Sequence, residues 1–169
     1  MSTANKNLSD YDPSEIPSAG DMRFAIVVSE WNKEITSALL EGATKTLLNN
    51  GADPSRIQVS YVPGSFELTA GARMVADTKT FDAVICLGCI IRGETPHFEY
   101  ICTGVTNGIT QLNLIYSIPF IFGVLTTENL QQAKNRSGGR HGNKGDEAAI
   151  TAIKMVALNR QSGKNQISE

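Results

Sequence analysis

The chain has 169 residues, with 15 Lys+Arg against 17 Asp+Glu and a formal net charge of −2 at pH 7, which fits one domain. That balance argues against a protein that grips nucleic acid by its phosphates, because such domains carry a dense basic face. Three cysteines is an odd number, and a chain this long buries a core without staples, so a reducing cytoplasm is expected rather than a secreted disulfide scaffold.

Residues 1–21 lack a basic patch followed by an apolar run, so they are neither a signal nor a transit peptide and are expected to form a flexible polar arm. The domain proper is expected over residues 22–160, with a polar tail over 161–169. Arg23–Ser29 is a continuous β-rich apolar run, the pattern of a strand covered on both faces. Residues 33–50 place Ile35, Leu39, Ala43 and Leu47 at helical spacing, and Gly51 follows where a C-terminal cap belongs. Ile57–Val62 reads as a second strand, PGSF as a turn, and Glu67–Ala76 as a helix. Asp82–Cys89 reads as a third strand, after which Thr95 and Pro96 are placed to cap and open a helix to about Tyr116. Phe120–Thr126 is a fourth strand, Glu128–Asn135 a short helix, and Asp146–Asn159 a last helix after a basic, glycine-rich loop.

Charged residues make up only 19% of the chain, against roughly 25% in ordinary soluble domains, and Tyr100–Thr127 contains none. A membrane span fails as an explanation: Thr103, Thr106, Asn107, Thr110, Gln111, Asn113 and Ser117 recur through the stretch and Pro119 interrupts it. It is better explained as a helix and strand buried in protein, partly in other copies of the chain. Strands alternating with helices imply right-handed crossovers. The expected fold is α/β, a flavodoxin-like three-layer sandwich with a four-stranded parallel sheet and an N-terminal arm.

Ligands of such sheets sit at the carboxyl ends of the strands, where the loops SEWN, PGSFE, CIIRGETPHFE and TTEN fall. Trp31 either packs at the rim or stacks on a planar ring, with Asn32 supplying hydrogen bonds. Ser65 either caps a helix or, with backbone amides and the Glu67 carboxylate, holds a polar substrate. The Arg92–His97 run feeds a helix N-terminus, whose free amides and dipole suit an anion, with Thr95 and the Glu94 amide placed for phosphate. His97 falls in the first turn, where the dipole disfavours the imidazolium and leaves a proton acceptor. Cys86 and Cys89 have CxxC spacing but lie within a strand with no second pair, so they read as core thiols and no metal is expected. Gly104 and Gly108 allow close helix approach, either within the subunit or to a partner. Arg136 is the better phosphate clamp in its loop, since guanidinium binds phosphate bidentately.

GSFE, IIRGETPHFEY, IPFIFGVLTTEN and the GNKGDEAA ending, in this order and spacing over about Arg23 to Leu158, together resemble the lumazine synthase family of riboflavin biosynthesis. The resemblance implies condensation of 5-amino-6-(D-ribitylamino)uracil with 3,4-dihydroxy-2-butanone 4-phosphate to 6,7-dimethyl-8-ribityllumazine, releasing phosphate and water, without cofactor or metal. It implies ring stacking by Trp31, where many members carry Phe. Ser65, Phe66 and Glu67 match the ribityl-binding segment, and Cys89, Ile90 and Ile91 the backbone that reads the pyrimidine. Glu94, commonly a small residue in relatives, and Thr95 match the phosphate pair, and His97 the proton-transfer residue. Phe122 and Arg136 resemble residues supplied across a subunit boundary, to the pyrimidine pocket and the phosphate respectively, with Lys144 adding charge nearby. The expected partners are the two substrates, further copies of the chain in a pentamer or a sixty-subunit shell, and riboflavin synthase, with no nucleic acid or membrane. The competing expectation is a flavin-binding or structural shell protein of the same fold without turnover.

Overall fold

The computed structural model describes residues 7, 9–78 and 80–165; the start of the expected arm and the end of the expected tail fall outside them. Four strands, β1 (Phe24–Ser29), β2 (Ile57–Val62), β3 (Ala83–Ile91) and β4 (Phe120–Thr127), form an all-parallel sheet in the order β2-β1-β3-β4. The central strands are buried along almost their whole length, whereas β2 alternates between partly buried and exposed positions because it is an edge.

The helices α1 (Lys33–Asn49) and α5 (Lys144–Asn165) cover one face, packing Leu39, Leu47 and Ile153 against Phe24, Ile26 and Ile85. On the other face α2 (Leu68–Thr78) and α3 (His97–Ile115) set Leu68, Val105 and Ile109 against Val27, Val84 and Val124. The expected three-layer α/β sandwich is what the chain forms. Cys86 and Cys89 fall in the cores of opposite faces, as their odd separation in a strand requires.

Most element ends shift by a residue or two, and the start of α3 and the end of α5 move for clear local reasons. Pro96, at φ −60°, accepts the first bonds of α3 through its own carbonyl, from the Glu99 and Tyr100 amides, and no side-chain hydrogen bond caps the helix, so the expected Thr95 cap is not formed. Helix α5 continues to Asn165 rather than stopping at Asn159. Its last turns are tied down, with Asn159 Nδ2 donating to the Ser117 carbonyl at 2.8 Å and Arg160 clasping Asp21 and Asp82.

The glycine-rich loop is a small antiparallel hairpin, β5 (Ser137–Gly139) with β6 (Gly142–Asn143), following the short helix α4 (Leu130–Asn135). Gly138 (φ 111°) and Gly142 (φ 78°) supply its left-handed positions. The described arm lies on its own chain: the Asn143 amide donates to Ser9 Oγ at 3.0 Å, and Ser9 Oγ donates to Asp146.

The glycine pair of α3 is consumed within the subunit. A Cβ at Gly104 would come within 2.9 Å of the Phe66 ring, and one at Gly108 within 2.3 Å of Thr69 Oγ1. These glycines let α3 close onto α2 and its entry turn, so they carry no argument for a helix from another copy. The uncharged stretch is nevertheless only half covered: α3 buries Val105, Ile109 and Leu112 but leaves Tyr100, Leu114 and Ile115 more than 70% exposed. Among the described residues no helix is long and apolar enough to cross a membrane.

Candidate active site

A groove of about 630 Å³ opens at the carboxyl edge of the sheet, within the usual size range of small-molecule sites. Its walls come from the loops that leave β1, β2 and β3. The first two are pinned together, the Glu30 and Trp31 amides donating to the carbonyls of Val62 and Pro63 at 2.8 and 3.1 Å. Trp31 is 71% exposed at the mouth, so its ring is not packed into the rim. Asn32 takes a left-handed conformation (φ 58°, ψ 46°), which a short amide side chain tolerates. Its Nδ2 donates to the Cys89 carbonyl at 2.9 Å, so one of its two amide N–H groups is committed to holding β3.

Ser65 lies at the groove wall with its Oγ buried and without a hydrogen-bond partner among the described residues. It does not cap α2, whose entry is held instead by the Leu68 amide on the Ser65 carbonyl at 3.2 Å. Gly88 makes this placement feasible, since a Cβ there would lie 2.7 Å from Ser65 Oγ and 2.9 Å from Leu68 Cδ1. A buried hydroxyl without a partner is costly, and this one lies behind the groove wall against Gly88. Phe66 and Glu67 line the same wall, opposite Cys89, Ile90 and Ile91 at the end of β3. Burial pushes the Cys86 thiol up to about 12 and the Cys89 thiol up to about 11, so neither is a ready nucleophile.

The third wall is the loop from Arg92 to Pro96 with the first turn of α3. Gly93, Thr95 and His97 line the groove, and Glu94 sits between the first two without facing it. Among the described residues the backbone amides of Gly93, Glu94 and Thr95 have no backbone acceptor. These free amides and the positive end of a 19-residue helix make the anion-favouring corner of the groove. Arg92 does not face the groove: its Nε binds Glu128 at 2.7 Å, its Nη1 binds Glu99, and its guanidinium carbon stands 4.2 Å from the centre of the Phe98 ring. The hydrogen bond and charge of Arg92 hold the Glu99 carboxyl below its ordinary range.

Phe122 and Arg136 do not reach this groove. Phe122 lies on the open edge strand β4, in a second depression shared with Lys144 and Glu147. The Lys144 amide donates to the Arg136 carbonyl at 2.8 Å, which sets the two cationic residues side by side at the base of the hairpin. Lys144 Nζ pairs with Glu147 Oε1 at 3.1 Å, leaving Glu147 Oε2 buried and unpartnered among the described residues. Among the described residues no lysine or arginine lines the groove itself, and its one carboxyl side chain is Glu67. A phosphate there would have amides and a dipole but no cation from the same chain.

Phe98 and Ile101 complete the wall and were not singled out in the sequence, although they follow His97 by one position and by one helical turn. No group of His, Cys, Asp and Glu among the described residues could hold a metal ion.

Fold and groove together define a class: an α/β enzyme for small molecules, with an aromatic rim, a polar pocket and an anion corner at the carboxyl edge of a parallel sheet. The family model of 6,7-dimethyl-8-ribityllumazine synthase matches residues 21–160. A protein of that name from Parabacteroides distasonis is 63% identical over 156 residues, covering 92% of this chain and 98% of its own. Another from Phocaeicola vulgatus is 56% identical with 99% of both chains covered, and one from Cytophaga hutchinsonii is 57% identical with 93% and 98% covered. The chain belongs to the 6,7-dimethyl-8-ribityllumazine synthase family.

Proposed function

We propose that this chain is a transferase of riboflavin biosynthesis that joins 5-amino-6-(D-ribitylamino)uracil to 3,4-dihydroxy-2-butanone 4-phosphate in the groove beneath Trp31. The observation that carries the reading is the meeting of three chemistries in one groove: an exposed aromatic ring, a polar wall at Ser65 and Glu67, and free amides at the head of α3. The uracil stacks under Trp31 with its edge on the Cys89–Ile91 backbone, the ribityl chain meets Ser65, Phe66 and Glu67, and the phosphate rests on the amides of the Gly93–Thr95 turn, foremost that of Thr95.

The chemistry follows from that placement. The 5-amino nitrogen attacks the ketone carbonyl, and the carbinolamine loses water to an imine. Loss of the proton on the neighbouring hydroxyl-bearing carbon expels phosphate with its C–O electron pair. The enol so formed becomes a ketone, and the ribitylamino nitrogen adds to it and closes the second ring with loss of another water. His97 takes and returns the protons of these steps. No strong nucleophile or electron carrier is required, and most of the rate comes from holding two substrates in register.

The absence of a Lys or Arg among the described residues of the groove supports an assembly in which a neighbour supplies the cation. Arg136, Lys144 and Phe122 serve a neighbouring copy's groove, so the active unit is a homo-oligomer; the family resemblance makes it a cytoplasmic pentamer or a sixty-subunit shell, with riboflavin synthase as a further partner. The exposed apolar face of α3 and the open edge at Phe122 support that reading. The test is co-assembly. Arg136→Ala and His97→Ala homo-oligomers each turn over poorly when mixed with both substrates and followed by lumazine absorbance. Assemblies refolded from the two variants together regain activity, because some grooves receive an intact His97 and an intact Arg136. Sedimentation reads the size; an active monomer, or a flavin-loaded protein without turnover, would overturn the proposal.

A further inference from the structure

The segment from Gly93 to Pro96 is held by almost nothing along its length. Gly93, Glu94, Thr95 and Pro96 are all exposed, a Cβ at Gly93 would meet no atom within 4 Å, and the Gly93, Glu94 and Thr95 amides have no backbone acceptor among the described residues. Its ends, by contrast, are tied together by one side chain. Arg92 sits where β3 ends, with its amide on the Thr127 carbonyl at 2.9 Å. From there its guanidinium reaches across the loop to Glu99 in the first turn of α3, and sideways to Glu128 just after β4 at 2.7 Å. The same group lies over Phe98, whose ring is part of the groove wall.

We propose that Arg92 is a positioning residue: it closes the Gly93–Pro96 loop into the shape that aims its amides at the substrate phosphate and sets His97 against the reacting atoms. The proposal rests on the functional reading above and adds to it a residue that touches neither substrate. Three features favour this role over others. Exposed ion pairs contribute little to folding, so a residue spending a guanidinium on two carboxylates and one ring is placed for geometry. Arginine suits it, being planar, permanently charged and able to bond along two edges while stacking. The alternative, that Arg92 binds phosphate itself, conflicts with its engagement by Glu99 and Glu128 outside the groove. Loose backbone amides lose their value as a preorganised anion site, since a small misplacement weakens every contact at once.

The assembled protein is titrated calorimetrically with inorganic phosphate, and steady-state constants are measured for both substrates. Arg92→Ala should weaken phosphate binding and raise KM for the phosphorylated ketone on the order of tenfold. KM for the ribitylaminouracil should stay within about twofold and Tm within about 2 °C, as for a surface change. Arg92→Lys should recover part of the loss. Adding Glu99→Gln and Glu128→Gln to Arg92→Ala should cost nothing further, because the three groups act as one unit. Unchanged phosphate binding in Arg92→Ala overturns the proposal, as does a loss that falls equally on both substrates together with Tm. Tighter phosphate binding in Glu99→Gln with Glu128→Gln also overturns it, since that would make Arg92 a direct ligand once freed. Absence of lumazine formation by the unaltered protein would instead remove the functional reading, and the phosphate titration would still judge the loop.

Discussion

Replacing His97 by alanine tests how much of the catalysis is proton transfer. The imidazole stands exposed on the first residue of α3, lines the groove, and has no hydrogen-bond partner among the described residues. A well-oriented acid or base contributes about 10²–10⁴ in rate; one without a supporting partner is less tightly oriented and belongs at the lower end. The expected loss in kcat is therefore on the order of 10²-fold, equivalent to about 2.7 kcal/mol of barrier. The amides at the loop, Ser65 and Trp31 remain, so turnover persists and KM changes little. Because the side chain is exposed, Tm should stay put, which separates a catalytic effect from a folding one. Initial rates of lumazine formation with both substrates saturating, alongside a thermal melt, provide the assay. An unchanged kcat would remove His97 from the chemistry, and a loss beyond 10⁴-fold would show that positioning contributes far less than argued.

Gly108→Ala would drive a methyl group to within 2.3 Å of Thr69 Oγ1 and 2.8 Å of Thr69 Cγ2. Overpacking of this kind costs about 1–3 kcal/mol, against about 1 kcal/mol gained in helix propensity, so Tm should fall by a few degrees and recover when Thr69→Ala is added. Alkylation of the native protein should modify the half-buried Cys102 ahead of Cys86 and Cys89, whose thiols burial holds at about 12 and about 11; peptide mass spectrometry after brief iodoacetamide treatment reads the order, and early modification of Cys86 would contradict it. The Arg160 hydrogen bond, then its charge, lowers the Asp21 carboxyl below its ordinary 3.8. A depressed carboxylate contributes stability that is present above the ordinary value and lost as pH falls through the folded one. Acid unfolding curves should therefore show Arg160→Ala losing stability relative to the parent at neutral pH, with the gap closing below about pH 4.

Local pattern carried a large share of this molecule. The continuous apolar runs at Arg23–Ser29 and Asp82–Cys89 read as strands covered on both faces and became β1 and β3, and the helical spacing of Ile35, Leu39, Ala43 and Leu47 became α1, packed on one side. Alternation of such elements determined a parallel sheet, and with it a site at the carboxyl edge, where Trp31, Ser65, Phe66, Glu67, Cys89–Ile91, Thr95 and His97 meet. Helix caps and loop shapes were less legible, because Ser65 and Thr95 had the right chemistry for caps while the backbone satisfied those helix starts by other bonds. What required tertiary structure was everything set by approach between distant segments. Gly104 and Gly108 spend their space on Phe66 and Thr69, the Asn32 amide is tied to the Cys89 carbonyl, and Arg92 turns from the groove to Glu99 and Glu128. Periodicity reports which face of an element is apolar; it carries no information about which atoms of another element that face will touch. That is decided only when the layers close, and closure turns the Arg92 guanidinium to Glu99 and Glu128 instead of into the groove.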